Sequence, residues 1–369
     1  MKNKNFKIAL IHDYLREYGG AERVLEALHE LYPEAPVYVS FVDQTALGLH
    51  WAKFKDWDIR QSWITKIPFY KKLYSPLRVL APQFFGSFNL SKYDVIISSS
   101  NMYFAKAVKK TDKAVHISYC HTPPRSLYGY TTMTDWKKNP VIRYGGSLIN
   151  HYLRVVDYYV SQQVDFFIAN SEEVKNRIKK FYRREAVVIY PPVDLIDVNT
   201  NSLIEKKYYL FVGRLAFAKH PEIAVEACNQ LHLPLKLVGT GSMMEKLKSI
   251  AGPNVELLGA IDDQELHQLY AGAKALLFPV EDEDFGIVPV EAMGHGVPVI
   301  AHNSGGPKET VIDNKTGVIF DDLSVAGLTA ALKKFAQTKF DRSAIIKHAQ
   351  KFSKKRFQQE IDDFVKSKV

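Results

Sequence analysis

Short, almost unbroken apolar runs alternate with longer amphipathic stretches along nearly the whole chain. The runs are 6–12, 36–41, 94–98, 114–118, 165–169 and 186–190, then 208–212, 235–239, 255–258, 275–279, 298–302 and 317–320. Segments with helical periodicity lie between them, among them 21–32, 172–182, 219–232, 242–251 and 263–272. Runs this short suit strands, and the lack of polar alternation suits strands covered on both faces. Strand–helix alternation predicts parallel sheets joined by crossover helices.

A chain of 369 residues is too long for one ordinary core, so at least two such α/β units are expected. The break falls at Tyr190-Pro-Pro-Val-Asp194, where two prolines stiffen the chain and stop regular structure, followed by a polar stretch to Lys207. The predicted domains are 1–190 and 191–351. The Lys-rich tail from about 342 is helical in pattern. Its last part, 352–369, either closes on its own domain or crosses back to the first. Open parallel sheets bind ligands at the carboxyl ends of their strands, so the active site is expected in a cleft between the two halves.

The two cysteines, Cys120 and Cys228, build no disulfide framework. The apolar run Ile8–Ile11 is cut by His12 and Asp13, too soon for a secretory signal, and no stretch reaches the ~18–20 apolar residues of a spanning helix. A cytoplasmic protein is expected, with the inner face of the cell membrane as an alternative address. The net charge of +9 is uneven: residues 1–190 hold 28 Lys/Arg and 17 Asp/Glu, whereas 191–369 hold 21 and 23. A basic first half points to an anionic partner for that half.

Chemistry concentrates in the second half. Phe211-Val-Gly213-Arg214 leads from a strand into a loop carrying Lys219, and a helix follows. Two cations beside a helix N-terminus suit a diphosphate. Leu237-Val-Gly239-Thr-Gly241 and His302-Asn-Ser-Gly305-Gly306 repeat the pattern of strand, glycines and helix. Glycine there lets backbone N–H groups approach a phosphate or sugar, or simply makes a tight turn between strand and helix. The most specific signal is Glu283-Asp-Phe285-Gly286-Ile287-Val-Pro-Val-Glu291, two glutamates separated by seven residues. A carboxylate accepts two hydroxyl hydrogen bonds at once, which suits sugar recognition. Asp282-Glu-Asp284 formally reads as a metal-binding D-x-D, but Arg214 and Lys219 already supply positive charge, and no metal is expected.

Together these motifs resemble the retaining glycosyltransferase family 4, and bacterial polysaccharide mannosyltransferases within it. The resemblance implies the GT-B fold, two facing Rossmann-like domains. It implies that Arg214 and Lys219 hold the donor diphosphate, that Glu283 lies near the transferred sugar, and that Glu291 binds the ribose. Phe285, Gly286 and Ile287 resemble the backbone segment facing the sugar. Gly213 and Gly239 resemble turns at the donor, and Gly259 with Ile261 the part packing on the base.

In the first half, Gly19-Gly20 opens a helix where N–H groups can face an anion, or is simply a tight turn. The family has a similar glycine pair facing the diphosphate. Tyr119-Cys-His121-Thr-Pro-Pro-Arg125 follows a strand, and His121 resembles the family's active-site histidine. Arg125 is a candidate for a donor or acceptor phosphate. Residues 59–93 hold no Asp or Glu, six Lys/Arg and eight aromatics. Such a stretch suits an anionic membrane surface; the competing reading is an excursion packed on its own domain with a solvated basic face. No nucleic-acid motif accompanies it.

The expected activity is transfer of a hexose, mannose from GDP-mannose as first choice, to a glycan or polyprenyl-phosphate-linked acceptor. The alternatives are a UDP-sugar donor, a nucleotide-sugar 2-epimerase of the same fold, and a non-enzymatic sugar-binding protein. A dinucleotide oxidoreductase is disfavoured because residues 12–20 lack G-x-G-x-x-G.

Overall fold

The structure, a computed structural model, describes residues 6–101, 104–132, 140–196 and 205–369. The chain forms two compact units. The first holds the described residues through Tyr130, the stretch ending at Pro192, and Lys355–Val369; the second holds Val193–Lys354.

The first unit is built on seven strands: β1 (Ile8–His12), β2 (Val37–Val39), β3 (Ile59–Gln61), β4 (Val95–Ser100), β5 (Val115–Cys120), β6 (Phe166–Ala169) and β7 (Ala186–Val188). Their order is β3-β2-β1-β4-β5-β6-β7, with every pairing parallel. The second unit has six: β8 (Tyr208–Val212), β9 (Leu235–Val238), β10 (Val255–Gly259), β11 (Ala273–Phe278), β12 (Val299–His302) and β13 (Gly317–Phe320). They follow the order β10-β9-β8-β11-β12-β13, also parallel throughout. Each sheet therefore grows outward in both directions from its first strand. The chain leaves β1 toward β2 but returns on its other side at β4, and likewise β8 is flanked by β9 and β11. A crevice opens at the carboxyl ends where the order reverses, and ligands bind there in sheets of this kind.

Successive residues of β1 point to opposite faces, and both faces are covered. Ala9 and Ile11 pack with Phe41, Phe84, Phe85 and with Leu153 and Val160 of the Pro140–Gln162 helix. Leu10 packs on the other face with Val24, Leu25 and Leu28 of the Gly20–Leu31 helix. That second layer also contains Phe357, Ile361 and Val365, which recur every four residues along the Lys354–Lys366 helix. The end of the chain thus belongs to the first unit's core. Burying three such side chains contributes about 1.5–3 kcal/mol each, and Gln358 adds a hydrogen bond to the Ala27 carbonyl at 3.2 Å.

Among the elements that the sequence expectations did not name, two bear on the surface of the first unit. The first is β3: Ile59-Arg-Gln61 is a half-exposed edge strand, and an edge needs no apolar run. The second is the Pro140–Gln162 helix, which from Tyr144 on exposes apolar side chains on its outer face. The basic stretch 59–93 is not one amphipathic helix. It divides into β3, a short turn of helix, the Tyr70–Leu77 helix and the Ala81–Phe85 helix. Most of its aromatics serve the core: Phe84 and Phe85 are fully buried, Trp63 packs on Phe84, and Tyr70 and Tyr74 pack on Phe41 of the same cluster. Among the described residues no helix is long and apolar enough to cross a membrane.

Candidate active site

In the second unit the reversal point lies between the ends of β8 and β11, and the motif residues gather there. β8 runs into Gly213 and the exposed Arg214. Lys219 closes a single helical turn, Phe217–Lys219, before the Pro221–Gln230 helix. β11 runs into the loop of Glu283, and Gly286, in the left-handed region at φ +87°, starts the Ile287–Gly294 helix. The Lys219 ammonium donates to Glu283 Oε2, and both side chains are mostly buried, at 15% and 19% exposure. A cavity of about 50 Å³ adjoins the pair, lined by Gly213, Lys219, Val280, Glu283, Gly286 and Ile287. That volume suits a water rather than a nucleotide sugar.

The loop glycines answer to the loops themselves. A Cβ on Gly239 would lie 1.9 Å from the Gly213 carbonyl oxygen, so the β9 loop packs on the β8 loop backbone to backbone. A Cβ on Gly305, at φ +60°, would lie 2.1 Å from the Glu283 carbonyl oxygen. That same oxygen accepts the Gly306 N–H at 2.7 Å. The His302–Gly306 turn therefore fixes the backbone of Glu283. Gly259 ends β10 at φ +71°, its carbonyl accepting the Gly239 N–H at 2.7 Å. Ile261 is half-buried just beyond it. Phe285 turns its ring into the interior, edge-on to Phe352 at 5.7 Å.

Glu291 lies inside the Ile287–Gly294 helix, nearly buried, and accepts from the Tyr270 hydroxyl at 3.3 Å. Behind it His295 donates Nδ1–H to the Glu291 carbonyl at 2.8 Å and meets His267 Nδ1 through Nε2 at 3.0 Å. Burial pulls His295 below the ordinary imidazole range, which matches an accepting, neutral Nε2. Tyr270 and His295 stack at 4.9 Å. This aromatic tier was not legible in the sequence, where the helical pattern at 263–272 says nothing of what His267 and Tyr270 meet. Asp282 takes φ +55°, and its N–H bonds Ser304 Oγ at 3.1 Å. Among the described residues, no three His, Cys, Asp or Glu side chains gather as metal ligands.

The first unit's reversal point, between β1 and β4, holds a second cluster. His12 ends β1, Ser99 lies on β4 and His121 follows β5. Ser99 Oγ lies 3.0 Å from His12 Nδ1 and 2.8 Å from His121 Nε2. His12 Nε2 meets Glu22 Oε1 at 3.4 Å, and Glu22 Oε2 accepts the Gly19 N–H at 2.8 Å. All four side chains are buried. Since a carboxylate only accepts, His12 donates from Nε2; in neutral imidazoles Ser99 then donates to His12 and accepts from His121, leaving His121 Nδ1 as the acceptor. Burial, helped by the nearby His12, pulls the His121 pKa down to about 3, so the ring is neutral at physiological pH. Gly19 caps the helix that Gly20 begins, and Glu22 takes up one of its N–H groups. Arg125 opens the Arg125–Tyr128 turn, half-buried. Cys120 points away from His121, into the cluster of Phe167 and Val174. His12, Ser99 and Glu22 were not candidates in the sequence because they lie on different elements, 87 residues apart in the case of His12 and Ser99.

Residues 18–196 match the family described as Glycosyltransferase Family 4, and residues 195–352 match Glycosyl transferases group 1. An uncharacterized glycosyltransferase of Methanocaldococcus jannaschii, MJ1178, is 28% identical over 53% of this chain. The match spans 57% of that relative's own length. The alpha-1,3/1,6-mannosyltransferase ALG2 of Candida glabrata is 26% identical over 84% of this chain and 78% of its own. Among solved structures, Anabaena HepE in complex with UDP and glucose superposes with a TM-score of 0.67 at 18% identity, covering 99% of this chain and 100% of that one. Two parallel-sheet α/β domains with such neighbours make this the GT-B fold.

Proposed function

Since the chain belongs to glycosyltransferase family 4, we propose that it moves a hexose from a nucleotide sugar to an acceptor with retention of anomeric configuration. That it is a glycosyltransferase follows from the family; sugar, base and acceptor are this reading's own. The preferred donor is GDP-mannose, in keeping with the mannosyltransferase relative. The acceptor is a glycan or a polyprenyl-phosphate-linked sugar in surface-polysaccharide assembly, met at an anionic membrane surface from the cytoplasmic side. A UDP-sugar is the second reading, favoured by the UDP-bound neighbour.

The observation that carries the reading is the Lys219–Glu283 pair beside the Gly286 turn. Breaking the anomeric C–O bond builds positive charge on the sugar and negative charge on the leaving diphosphate. An ammonium has three N–H donors. One is held by Glu283, which aims the others at the diphosphate together with Arg214. Glu283 in turn lies close to the sugar hydroxyls, and Glu291, steadied by Tyr270, takes the ribose. His121, neutral and hydrogen-bonded to Ser99, is assigned a contact with the sugar. Charge at the diphosphate comes from protein side chains, so transfer proceeds without a divalent metal.

A thermal-shift screen with GDP, UDP and ADP tests the donor site directly, because a ligand that binds only the folded state raises the melting temperature. Stabilisation by GDP alone fits the preferred reading and stabilisation by UDP alone the second. No response to any of them sinks the donor-site assignment. Product analysis then separates glycoside formation from a 2-epimerised nucleotide sugar.

A further inference from the structure

The Pro140–Gln162 helix turns Leu153, Asp157 and Val160 inward. Its opposite face exposes Tyr144, Leu148, Tyr152, Val155 and Tyr159, with Ile149 alongside; Leu148 is 76% exposed and Tyr159 66%. The spacing of four, four, three and four residues draws one stripe along the helix, about 22 Å long at 1.5 Å per residue. A helix on a protein surface ordinarily shows water a polar face, and a continuous apolar one marks an interaction site. Between 144 and 159 the only acidic residue is Asp157, fully buried and ion-paired with Lys106 at 2.7 Å. The only Lys or Arg there is the exposed Arg154.

The same side of the sheet carries a second exposed apolar point. Phe69, 75% exposed at φ +58°, and Leu73, 43% exposed, stand beside the exposed Lys66 and Lys72. Tyr70 and Tyr74 of that segment pack in the same core cluster as Leu153 and Val160. From 59 to 93 there is no carboxylate. We propose that the Tyr144–Tyr159 stripe, with Phe69 and its flanking lysines, is a docking surface for an anionic lipid bilayer. The helix lies in the headgroup region without crossing it.

The charge pattern selects this occupant. Tyrosines and aliphatic side chains suit the boundary between headgroups and acyl chains, and lysines beside them meet anionic headgroups. A second copy of the chain would bring the same cations face to face with no acid between them. Docking there rests on the lipid-linked acceptor proposed above, and it moves the apolar contact from the 59–93 aromatics, mostly buried, to the helix.

The full chain is tested by flotation with vesicles of phosphatidylcholine alone and with phosphatidylglycerol added. Wild type should bind the phosphatidylglycerol vesicles and release from them as salt rises. Leu148→Glu with Tyr152→Glu should lower partitioning at least about tenfold, with the fold verified by circular dichroism. Lys66→Glu with Lys72→Glu should abolish the preference for phosphatidylglycerol. Failure of wild type to bind, or unchanged binding by the Leu148/Tyr152 variant, overturns the proposal. A wild-type dimer dissolved by that variant, without vesicle binding, reassigns the stripe to a second copy. Nucleotide stabilisation is measured in parallel: its absence would count against the donor site and leave the vesicle result standing.

Discussion

Lys219 donates a hydrogen bond to Glu283 across 64 residues of chain, joining the loop after β8 to the loop after β11. The pair sits at the reversal point of its sheet, beside the start of the Ile287–Gly294 helix.

Lys219→Ala and Glu283→Ala should each fold and each lose transfer. Removing a preorganised donor to a developing charge typically lowers kcat by about 10²–10³. Some stability should be lost, up to about 3–5 kcal/mol, because removing one partner of a mostly buried pair leaves the other charge uncompensated. Steady-state kinetics with melting curves check both halves; full activity in either variant would remove these residues from the mechanism.

Tyr270→Phe removes the hydroxyl that steadies Glu291. One such hydrogen bond to a carboxylate contributes about 1.5–3 kcal/mol. The expected change is weaker nucleotide binding in calorimetry and a raised KM for the donor, with kcat less affected. A change in kcat alone would place Glu291 nearer the reacting centre than the ribose.

Gly305→Ala tests the loop-on-loop packing. Its Cβ would drive into the Glu283 backbone, at a φ that disfavours a side chain, so strain of about 1–3 kcal/mol is expected. Activity should fall through displacement of Glu283 even where nucleotide binding survives. Wild-type kinetics would show that the turn has room to yield.

Phe357→Ala should destabilise the first unit by about 3–5 kcal/mol, as emptying a fully buried ring position does. Denaturant unfolding reads this, and an unaffected midpoint would mean that the C-terminal helix is dispensable to that core.

Acid should unfold the protein in part through its buried histidines. Burial lowers His116 from 6.5 to about 4 and His121 to about 3. The unfolded chain therefore binds protons that the folded state refuses, and stability is full above about pH 6.5 and falls as pH drops toward 4. His116→Gln should flatten that slope in pH-dependent melting; an unchanged slope would assign acid sensitivity to other groups.

The apolar runs by themselves determined most of both sheets, because strands covered on both faces must be apolar along their length, and every run contains or overlaps a strand. The E-x7-E spacing and the cations after β8 were equally local, and so were readable. Tertiary structure alone decided which residues meet. Parallel pairing brings together the ends of strands far apart in the chain, as with His12 and Ser99 or Lys219 and Glu283. It decided that the glycines serve neighbouring loops, since a one-dimensional pattern does not say what approaches a backbone. It decided that most of the 59–93 aromatics fill a core while Phe69 and the Tyr144–Tyr159 stripe stay outside. Hydrophobicity in a sequence records a tendency to leave water, and only the packed chain determines which apolar groups find the room.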